Sequence, residues 1–182
     1  MALLGAAQTN DVIPKRPKFA FYAGIGPNYY INNLVLVKKK VNELNYTILT
    51  RLMWEPEHRL SLGIESGYNR LYTIQTNLTA NNIKIRIVSA AIPIHIVVSM
   101  KVYKSFYTSF TMGQSLLLND IYISDTPKVH SSKFSLGDYS AAIGYKRSIK
   151  NRIYLGAEIK GFYFSQLGDK NIALAFFAGV RF

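Results

Sequence analysis

The chain has 182 residues, a length that suits one domain, and carries a formal net charge of +12. Although 49% of its residues are hydrophobic, no run approaches the roughly 18 apolar residues of a transmembrane helix. The absence of cysteine excludes disulfide frameworks and zinc–cysteine sites. The basic residues lie in connecting segments or singly along strands, not in a patch interleaved with aromatic residues, so no nucleic-acid partner is expected.

Thirteen tyrosines and ten phenylalanines favour β-strands over helices. Alternating large apolar and small or polar residues predict eight strands, at residues 18–30, 45–54, 59–72, 83–98, 104–119, 135–148, 153–163 and 171–182. The remainder divides into long connections at 31–44, 73–82 and 120–134, short ones at 55–58, 99–103 and 149–152, and a moderate one at 166–170. The predicted fold class is therefore all-β.

The two ends of the chain differ from each other in sequence pattern. Residues 1–7 resemble the end of a secretory signal peptide, with cleavage expected after Ala7, and residues 8–17 read as an extended lead-in. The final strand places Ile172, Leu174 and Phe176 on an apolar face that continues to Phe182. Residues 18–182 are therefore expected to form the folded domain.

The fourth predicted strand, residues 83–98, is the most apolar, and its alternation is interrupted twice. The period slips near Arg86, which predicts a β-bulge there. Pro93 lacks a backbone donor and so predicts a second local irregularity.

Apolar and polar faces combined with alternating long and short connections predict an eight-stranded antiparallel up-and-down transmembrane β-barrel. The end of the chain resembles the C-terminal signal of bacterial outer-membrane β-barrel proteins, carried by Phe176, Ala178, Val180 and Phe182. Residues 18–182 resemble the small OmpA- or OmpX-like barrels, in particular those of Bacteroidota. The motifs that carry this resemblance are 90–95 and 137–145.

This resemblance implies an integral protein of the Gram-negative outer membrane with both termini in the periplasm. It implies contact with outer-membrane lipid and glycolipid, recognition of the terminal strand by the barrel-assembly machinery, and possible membership of a larger membrane protein complex. It implies no cofactor.

Charged residues fall on the polar faces of the predicted strands. These are Arg51, Glu65, His95, Asp138, Lys146, Glu158, Lys160 and Arg181. The interior of an eight-stranded barrel is barely wide enough for side chains, and buried charges need partners. We therefore predict a polar network that fills the lumen, in which Arg181 faces Glu158 or Glu65. A pore for small solutes is the alternative.

Aromatic residues near the predicted strand ends suit the two membrane interfaces. This predicted aromatic girdle comprises Tyr29, Tyr30, Trp54, Tyr72, Tyr103, Tyr145 and Tyr163.

The sequence bears on three further function classes. His58, His95 and His130 lack the spacing of zinc ligands, so no metal site is expected. His130-Ser131-Ser132, with Asp120 or Asp125 as the acid, leaves a lipid-modifying enzyme as an alternative. A soluble lipocalin-like carrier would need an apolar interior and a polar exterior, the reverse of these strands. The leading hypothesis is a non-enzymatic outer-membrane barrel with a structural, accessory or surface-interaction role and no catalytic residues.

Overall fold

The computed structural model describes residues 18–31, 41–56, 59–78, 83–124, 127–150 and 152–182. The strands are β1 (Lys18–Ile31), β2 (Val41–Asn42), β3 (Leu44–Glu55), β4 (Leu60–Leu78), β5 (Ile83–Tyr103), β6 (Phe106–Ile123), β7 (Val129–Lys150), β8 (Ile153–Phe164) and β9 (Asp169–Arg181). Within these ranges no helix is long and apolar enough to cross a membrane.

Eight strands form one closed sheet. The order runs β4-β3-β1-β9-β8-β7-β6-β5, and β4 also pairs with β5, which closes the ring. Every pairing is antiparallel, and the two-residue β2 adds to the far end of β4. Because β9 pairs with β1, the first and last strands leave no open edge between them. The eight-stranded antiparallel barrel predicted from the sequence is confirmed.

The strands are staggered around the barrel. From Phe21 on β1, the paired positions pass to Leu52, Ile64, Ile96, Met112, Tyr139, Tyr163 and Lys170, and return to β1 at Ile31. The return point lies ten residues from the start, so the shear of this eight-stranded barrel is ten. A stagger of this kind goes with strands tilted by roughly 35–45° to the barrel axis.

The predicted strand bounds were too short for β4 to β7. Residues 73–78, 99–103, 120–123 and 129–134 belong to strands, although they were predicted as connections. The turn between β5 and β6 is Lys104-Ser105, where Lys104 has a positive φ of 48°. The predicted lead-in 1–17 and segments 32–40, 57–58, 79–82 and 125–126 lie outside the described residues, as does residue 151.

The irregularities of the fourth predicted strand lie elsewhere than Arg86. Arg86 pairs without a register shift with Gln75 and Tyr122, and the shift in the β4–β5 ladder falls between Arg70 and Tyr72. The prediction of a bulge at Arg86 was therefore wrong, because the extra residue is on the partner strand. At Pro93, Ser66 pairs with Ile94 and the β4–β5 ladder resumes only at Asn69 with Ala91, as expected for a residue without an N–H donor.

The polarity of the barrel is inverted relative to a water-soluble protein. Large apolar side chains point outward, with Ile143 70% and Ile96 67% exposed, whereas Glu65 and Lys160 inside are each 1% exposed. Alternation along each strand produces this arrangement, because neighbouring residues face opposite sides of the sheet. An apolar exterior around a polar interior is the arrangement of a membrane barrel and the reverse of a lipocalin-like carrier.

Aromatic side chains form two outer bands, one at each end. Towards the end that carries both chain termini (the terminal end) lie Phe19, Trp54, Tyr103, Phe106, Tyr145 and Phe182. Towards the opposite end (the loop end) lie Tyr29, Tyr46, Tyr68, Tyr139 and Tyr163. On β3, residues 46 and 54 are separated by roughly 27 Å of strand at a rise of about 3.4 Å per residue. Tilt shortens this to about 20 Å along the axis, comparable with the apolar band of about 25 Å of membrane barrels.

Two members of the predicted girdle do not lie in these bands. Tyr30 is fully buried inside the barrel, and its hydroxyl donates to Asp169. Tyr72 is half-buried against Tyr30, with ring centroids 5.1 Å apart. Their position at a strand end was right for a girdle, but the alternation of β1 directs Tyr30 inward together with Asn28.

Candidate functional site

Four charged side chains cross the middle of the lumen and form what we call the central layer: Arg51, Glu65, Glu158 and Lys160. Arg51 Nε donates to Glu65 Oε2 at 2.9 Å and Arg51 Nη2 donates to Glu158 Oε1 at 2.9 Å. Lys160 donates to Glu65. All four are at least 95% buried. Two cations and two carboxylates balance, as a buried charged cluster requires.

The central layer joins opposite walls of the barrel. Glu65 lies on β4 and Lys160 on β8, which stand four places apart in the ring of eight strands. Arg51, which faces Glu65 in the β3–β4 register, reaches across to Glu158 on β8. Tyr107 on β6 adds a hydrogen bond from its hydroxyl to Glu158 Oε2 at 2.6 Å. The bonds of this layer therefore occupy the cross-section of the lumen.

A second charged layer lies nearer the terminal end and centres on Glu55. Lys146 Nζ donates to Glu55 Oε1 at 2.6 Å and Arg181 donates to Oε2. Tyr22 adds a hydrogen bond of 2.7 Å to Glu55 Oε1. Glu55 is 5% exposed. The predicted partner of Arg181, Glu158 or Glu65, was wrong, because the register around the barrel brings Glu55 to its level instead.

Aromatic side chains close the space between these two layers. Tyr22, Tyr107 and Phe177 pack edge-to-face, with ring centroids 5.8 Å apart for Tyr22–Phe177 and 6.3 Å for Tyr107–Phe177. A cavity of only about 10 Å³ remains beside Arg51, Met53 and these rings. This is about the space of one water molecule, so the described side chains fill the lumen at this level.

Small residues on the inner face make room for these rings. Gly179 pairs with Tyr22, Gly144 with Tyr107 and Gly156 with Phe177. A Cβ atom at Gly144 or Gly179 would meet the paired ring at less than a van der Waals distance. Glycine under an inward aromatic ring is therefore required by close packing in this narrow barrel.

The other two predicted lumen residues make separate polar contacts. His95 Nδ1 lies 3.0 Å from Thr111 Oγ1, which lies 2.5 Å from Ser140 Oγ. Asp138 accepts hydrogen bonds from Ser135 Oγ at 2.6 Å and from the backbone of Ser165 at 2.8 Å. The sequence therefore placed all eight predicted lumen residues on the inner wall, but they form several clusters and not one network.

The sequence pattern did not reveal the lumen contacts of four inner polar residues, Glu55, Asp169, Tyr22 and Tyr107. Glu55 was assigned to a turn, and Asp169 to a connection. The alternation that selected Arg51 continues through Met53 to Glu55 and could have identified it. Tyr22 and Tyr107 were placed on inner faces, but their hydrogen bonds to carboxylates were not predicted.

A charged cluster at the loop end includes two residues of the alternative catalytic hypothesis. His130 Nδ1 lies 2.6 Å from Asp120 Oδ1, and Lys128 Nζ lies 2.9 Å from Asp120 Oδ2. The hydrogen bonds of His130 and Lys128 lower the pKa of the Asp120 carboxyl. Asp120 also raises the pKa of the Lys128 ammonium.

No serine hydroxyl hydrogen-bonds to His130 among the described residues, which include Ser131 and Ser132. A nucleophile needs a base within hydrogen-bond reach, so this part of the chain does not assemble a triad. Nor do the described ranges bring together three His, Asp or Glu side chains that could hold a metal. His58 and Asp125 lie outside them.

The predicted assembly signal lies on the outer face of β9 and just beyond it. Phe176 is 58% and Phe182 67% exposed, and Ala178 and Val180 point the same way. Phe182 forms backbone hydrogen bonds with Phe19, and the two rings stack 6.4 Å apart. The last residue is thus held against the first strand.

Comparison with known proteins finds similarity in structure alone: no family model matches, and no curated sequence matches. The crystal structure of Neisserial surface protein A is similar with a TM-score of 0.53 and 12% identity, covering 90% of this chain and 97% of that one. For Ail of Yersinia pestis the values are 0.54, 10%, 92% and 100%.

A third similar structure is the N-terminal β-barrel domain of Pseudomonas aeruginosa OprF, with a TM-score of 0.51, 9% identity and coverage of 90% and 97%. The narrower likeness to Bacteroidota barrels stays a prediction. The chain has the fold of the small outer-membrane β-barrels, a closed barrel of eight antiparallel strands.

Proposed function

We propose that this chain is a non-enzymatic integral protein of the Gram-negative outer membrane with a closed lumen and a structural or surface-interaction role. The observation that carries this proposal is the inverted polarity of the barrel, apolar outside and ion-paired inside. The exposed apolar side chains have no reason to face water, and a lipid environment satisfies them.

The central layer supports a closed barrel over the alternative of a solute pore. We expect purified protein in planar bilayers to give no discrete current steps at voltages where a porin control conducts. Regular steps that disappear in Arg51→Ala would contradict the closed lumen and favour a pore. Because Arg51→Ala leaves two buried carboxylates with less compensation, its folding is checked in parallel by electrophoretic mobility without heating.

The orientation that we propose puts both termini in the periplasm and the loop end outside. Strands β4 to β7 have 18–22 residues whereas β1, β3, β8 and β9 have 12–14. The additional residues of β4 to β7 lie at the loop end and form an extension beyond the shorter strands. Arg70, Lys84 and Arg86 on this extension have the charge to meet phosphorylated glycolipid. Ail, a protein of similar fold, was crystallised with a sulfated sugar, sucrose octasulfate.

Single cysteines test the orientation cleanly, because the chain has none of its own. In intact cells we expect a membrane-impermeant maleimide to label Ser131→Cys on the extension and not Lys101→Cys at the terminal end. Ile143→Cys, which faces outward in mid-barrel, is the lipid-facing control and stays unlabelled. Labelling of Lys101→Cys in intact cells would contradict the proposed orientation.

We also propose that the assembly machinery reads the outer face of the last strand and that outer-membrane neighbours contact the completed barrel. Exposure of Phe176 and Phe182 supports the first idea. Phe182→Ser is expected to reduce the amount of folded protein in cells more than it reduces the yield on refolding into detergent. Equal effects in both systems would show that Phe182 acts only on stability.

A further inference from the structure

The terminal end of the barrel opens into a cavity of about 570 Å³, which we call the terminal vestibule. The rings of Tyr107 and Tyr154 lie on its wall, and the Glu55 layer lies at its base. Because the side chains beneath this base leave only about 10 Å³ of free space, the vestibule is a recess and not the mouth of a channel. A ligand that enters it stays at this end.

Among the residues that the structure describes, six cations and one carboxylate line the terminal vestibule. The cations are Lys18, Arg59, Lys101, Lys104, Lys146 and Arg181, and the carboxylate is Glu55. Lys18, Arg59, Lys101 and Lys104 lie at the rim, on or beside β1, β4, β5 and β6. Lys146 and Arg181 belong to the Glu55 layer at the base. The central layer, by contrast, has two cations and two carboxylates. Cations thus outnumber carboxylates among the described residues that line the terminal vestibule.

Glu55 does not neutralise the rim. Both of its oxygens are already engaged, by Lys146 and Arg181. Arg59, Lys101 and Lys104 contact no carboxylate among the residues described here, and Lys104 Nζ instead lies 5.1 Å from the Tyr103 ring centroid. Lys101 and Arg59 are held side by side, because the Lys101 amide donates to the Arg59 carbonyl at 2.8 Å. Like charges held together in this way repel, and a bound anion would relieve that repulsion.

The wall also offers neutral hydrogen-bond donors. Ser61 and Ser105 line the terminal vestibule between the cations, and a serine hydroxyl can donate to a phosphate oxygen. Ser99 also lines it, but its hydroxyl donates to the Thr108 carbonyl at 3.3 Å. Arginine adds a planar fork that suits phosphate, and lysine adds a point charge. No apolar floor is available to a purely hydrophobic ligand here, because the base is the Glu55 ion-pair layer.

We propose that the terminal vestibule binds a compact polyanion that carries two or more phosphate groups. Several phosphates are required because the cations approach from different sides of the rim, so a single phosphate cannot meet them all. The phosphates could belong to a soluble metabolite or to a phospholipid headgroup at the rim. This site is distinct from the structural role proposed above and does not depend on it.

Titration calorimetry of the refolded protein in neutral detergent tests the site, with pyrophosphate and inositol hexakisphosphate as probes. We expect saturable binding of one inositol hexakisphosphate per chain and weaker binding of pyrophosphate. Arg59→Ser combined with Lys101→Ser should weaken binding at least ten-fold. Lys84→Ser combined with Arg86→Ser, which removes the same charge at the loop end, should change affinity less than three-fold.

Three outcomes would overturn the proposal. They are no saturable binding by the unaltered protein, equal losses in the two double variants, and a larger loss in the loop-end pair. Each double variant is first checked for folding by its electrophoretic mobility without heating. If Arg59→Ser with Lys101→Ser does not fold, Lys101→Ser with Lys104→Ser replaces it, and the same ten-fold loss is required.

Nanodiscs distinguish the two sources of phosphate. If a lipid headgroup occupies the terminal vestibule, cardiolipin in the disc should weaken binding of inositol hexakisphosphate at least ten-fold relative to neutral lipid. Native mass spectrometry should then find cardiolipin retained by the unaltered protein and lost from the Arg59/Lys101 variant. Unchanged affinity in cardiolipin discs assigns the site to a soluble ligand. Both results keep the polyanion site and differ only in its occupant.

Discussion

At the scale of single residues, Glu65 and Lys160 are the pair on which the interior most depends. Each is 1% exposed, and they lie on opposite walls. Glu65→Leu leaves the Lys160 ammonium buried without its carboxylate, so we expect the free energy of unfolding to fall by about 3–5 kcal/mol. Urea titration in lipid vesicles, followed by the fluorescence of Trp54, the single tryptophan of the chain, measures the loss.

The matched control for this prediction removes both charges. Glu65→Leu with Lys160→Leu should recover most of the lost stability, because replacing both members of a buried ion pair with apolar residues is often neutral. Lys170→Ser, an exposed change at the loop end, should stay within about 0.5 kcal/mol of the unaltered protein. If the single and double variants are equally unstable, packing and not charge explains the effect.

Gly144 and Gly161 give a second residue-scale prediction, because one lies under a ring and the other in open space. A Cβ at Gly144 would collide with the Tyr107 ring, whereas a Cβ at Gly161 meets nothing within 4 Å. We expect Gly144→Ala to destabilise the barrel by about 1–3 kcal/mol through overpacking, and Gly161→Ala to be neutral or slightly stabilising. Parallel urea titrations compare them, and equal effects would contradict the packing role of Gly144.

At the scale of strands, the polar composition of the strand ends led to predicted strands that were too short. Residues 73–78 and 129–134 are rich in Thr, Asn, Ser and Lys, which suggested loops. They extend β4 and β7 because they pair in register with β5 and β6. The inward and outward alternation in mid-barrel was predictable from the sequence. The length of the extension was not, because strand propensity depends on the neighbouring strands.

The part of the β6–β7 pair at the loop end gives a prediction about pH. The pKa of Asp120 is lowered by hydrogen bonds from His130 first and Lys128 second. A lowered carboxyl pKa contributes stability above its unfolded value, and this contribution is lost as pH falls through the lowered pKa. Carbon-detected NMR titration should give a pKa for the Asp120 carboxyl that is lower than the ordinary aspartate value of about 3.9. His130→Ala should move the pKa upward, and no movement would contradict the assigned cause.

At the scale of the whole molecule, the sequence carried the architecture and the inner and outer faces, because both follow from a period of two residues. The sequence did not reveal which charged side chains in the lumen form ion pairs with each other. That pairing depends on the stagger of ten residues around the ring, which no single strand encodes. Arg181 therefore meets Glu55 and not Glu65 or Glu158, and Tyr30, predicted at the interface, points inside.

The cross-lumen ion pairs also bear on how long the barrel lasts once formed. Glu65 and Lys160 are 95 residues apart in the chain, and Arg51 and Glu158 are 107 apart. We expect contacts this distant in sequence, across the lumen, to form only when the ring closes. Interactions absent from the transition state slow unfolding without speeding folding.

Glu65→Leu is therefore expected to accelerate unfolding by roughly 10²–10⁴-fold, with little change in the folding rate. Rapid dilution into and out of denaturant, followed by Trp54 fluorescence, separates the two rates. A folding rate that falls while the unfolding rate stays constant would mean that these charges meet before closure. In the expected case, the buried charges set the lifetime of the native barrel, and its interior chiefly provides kinetic persistence.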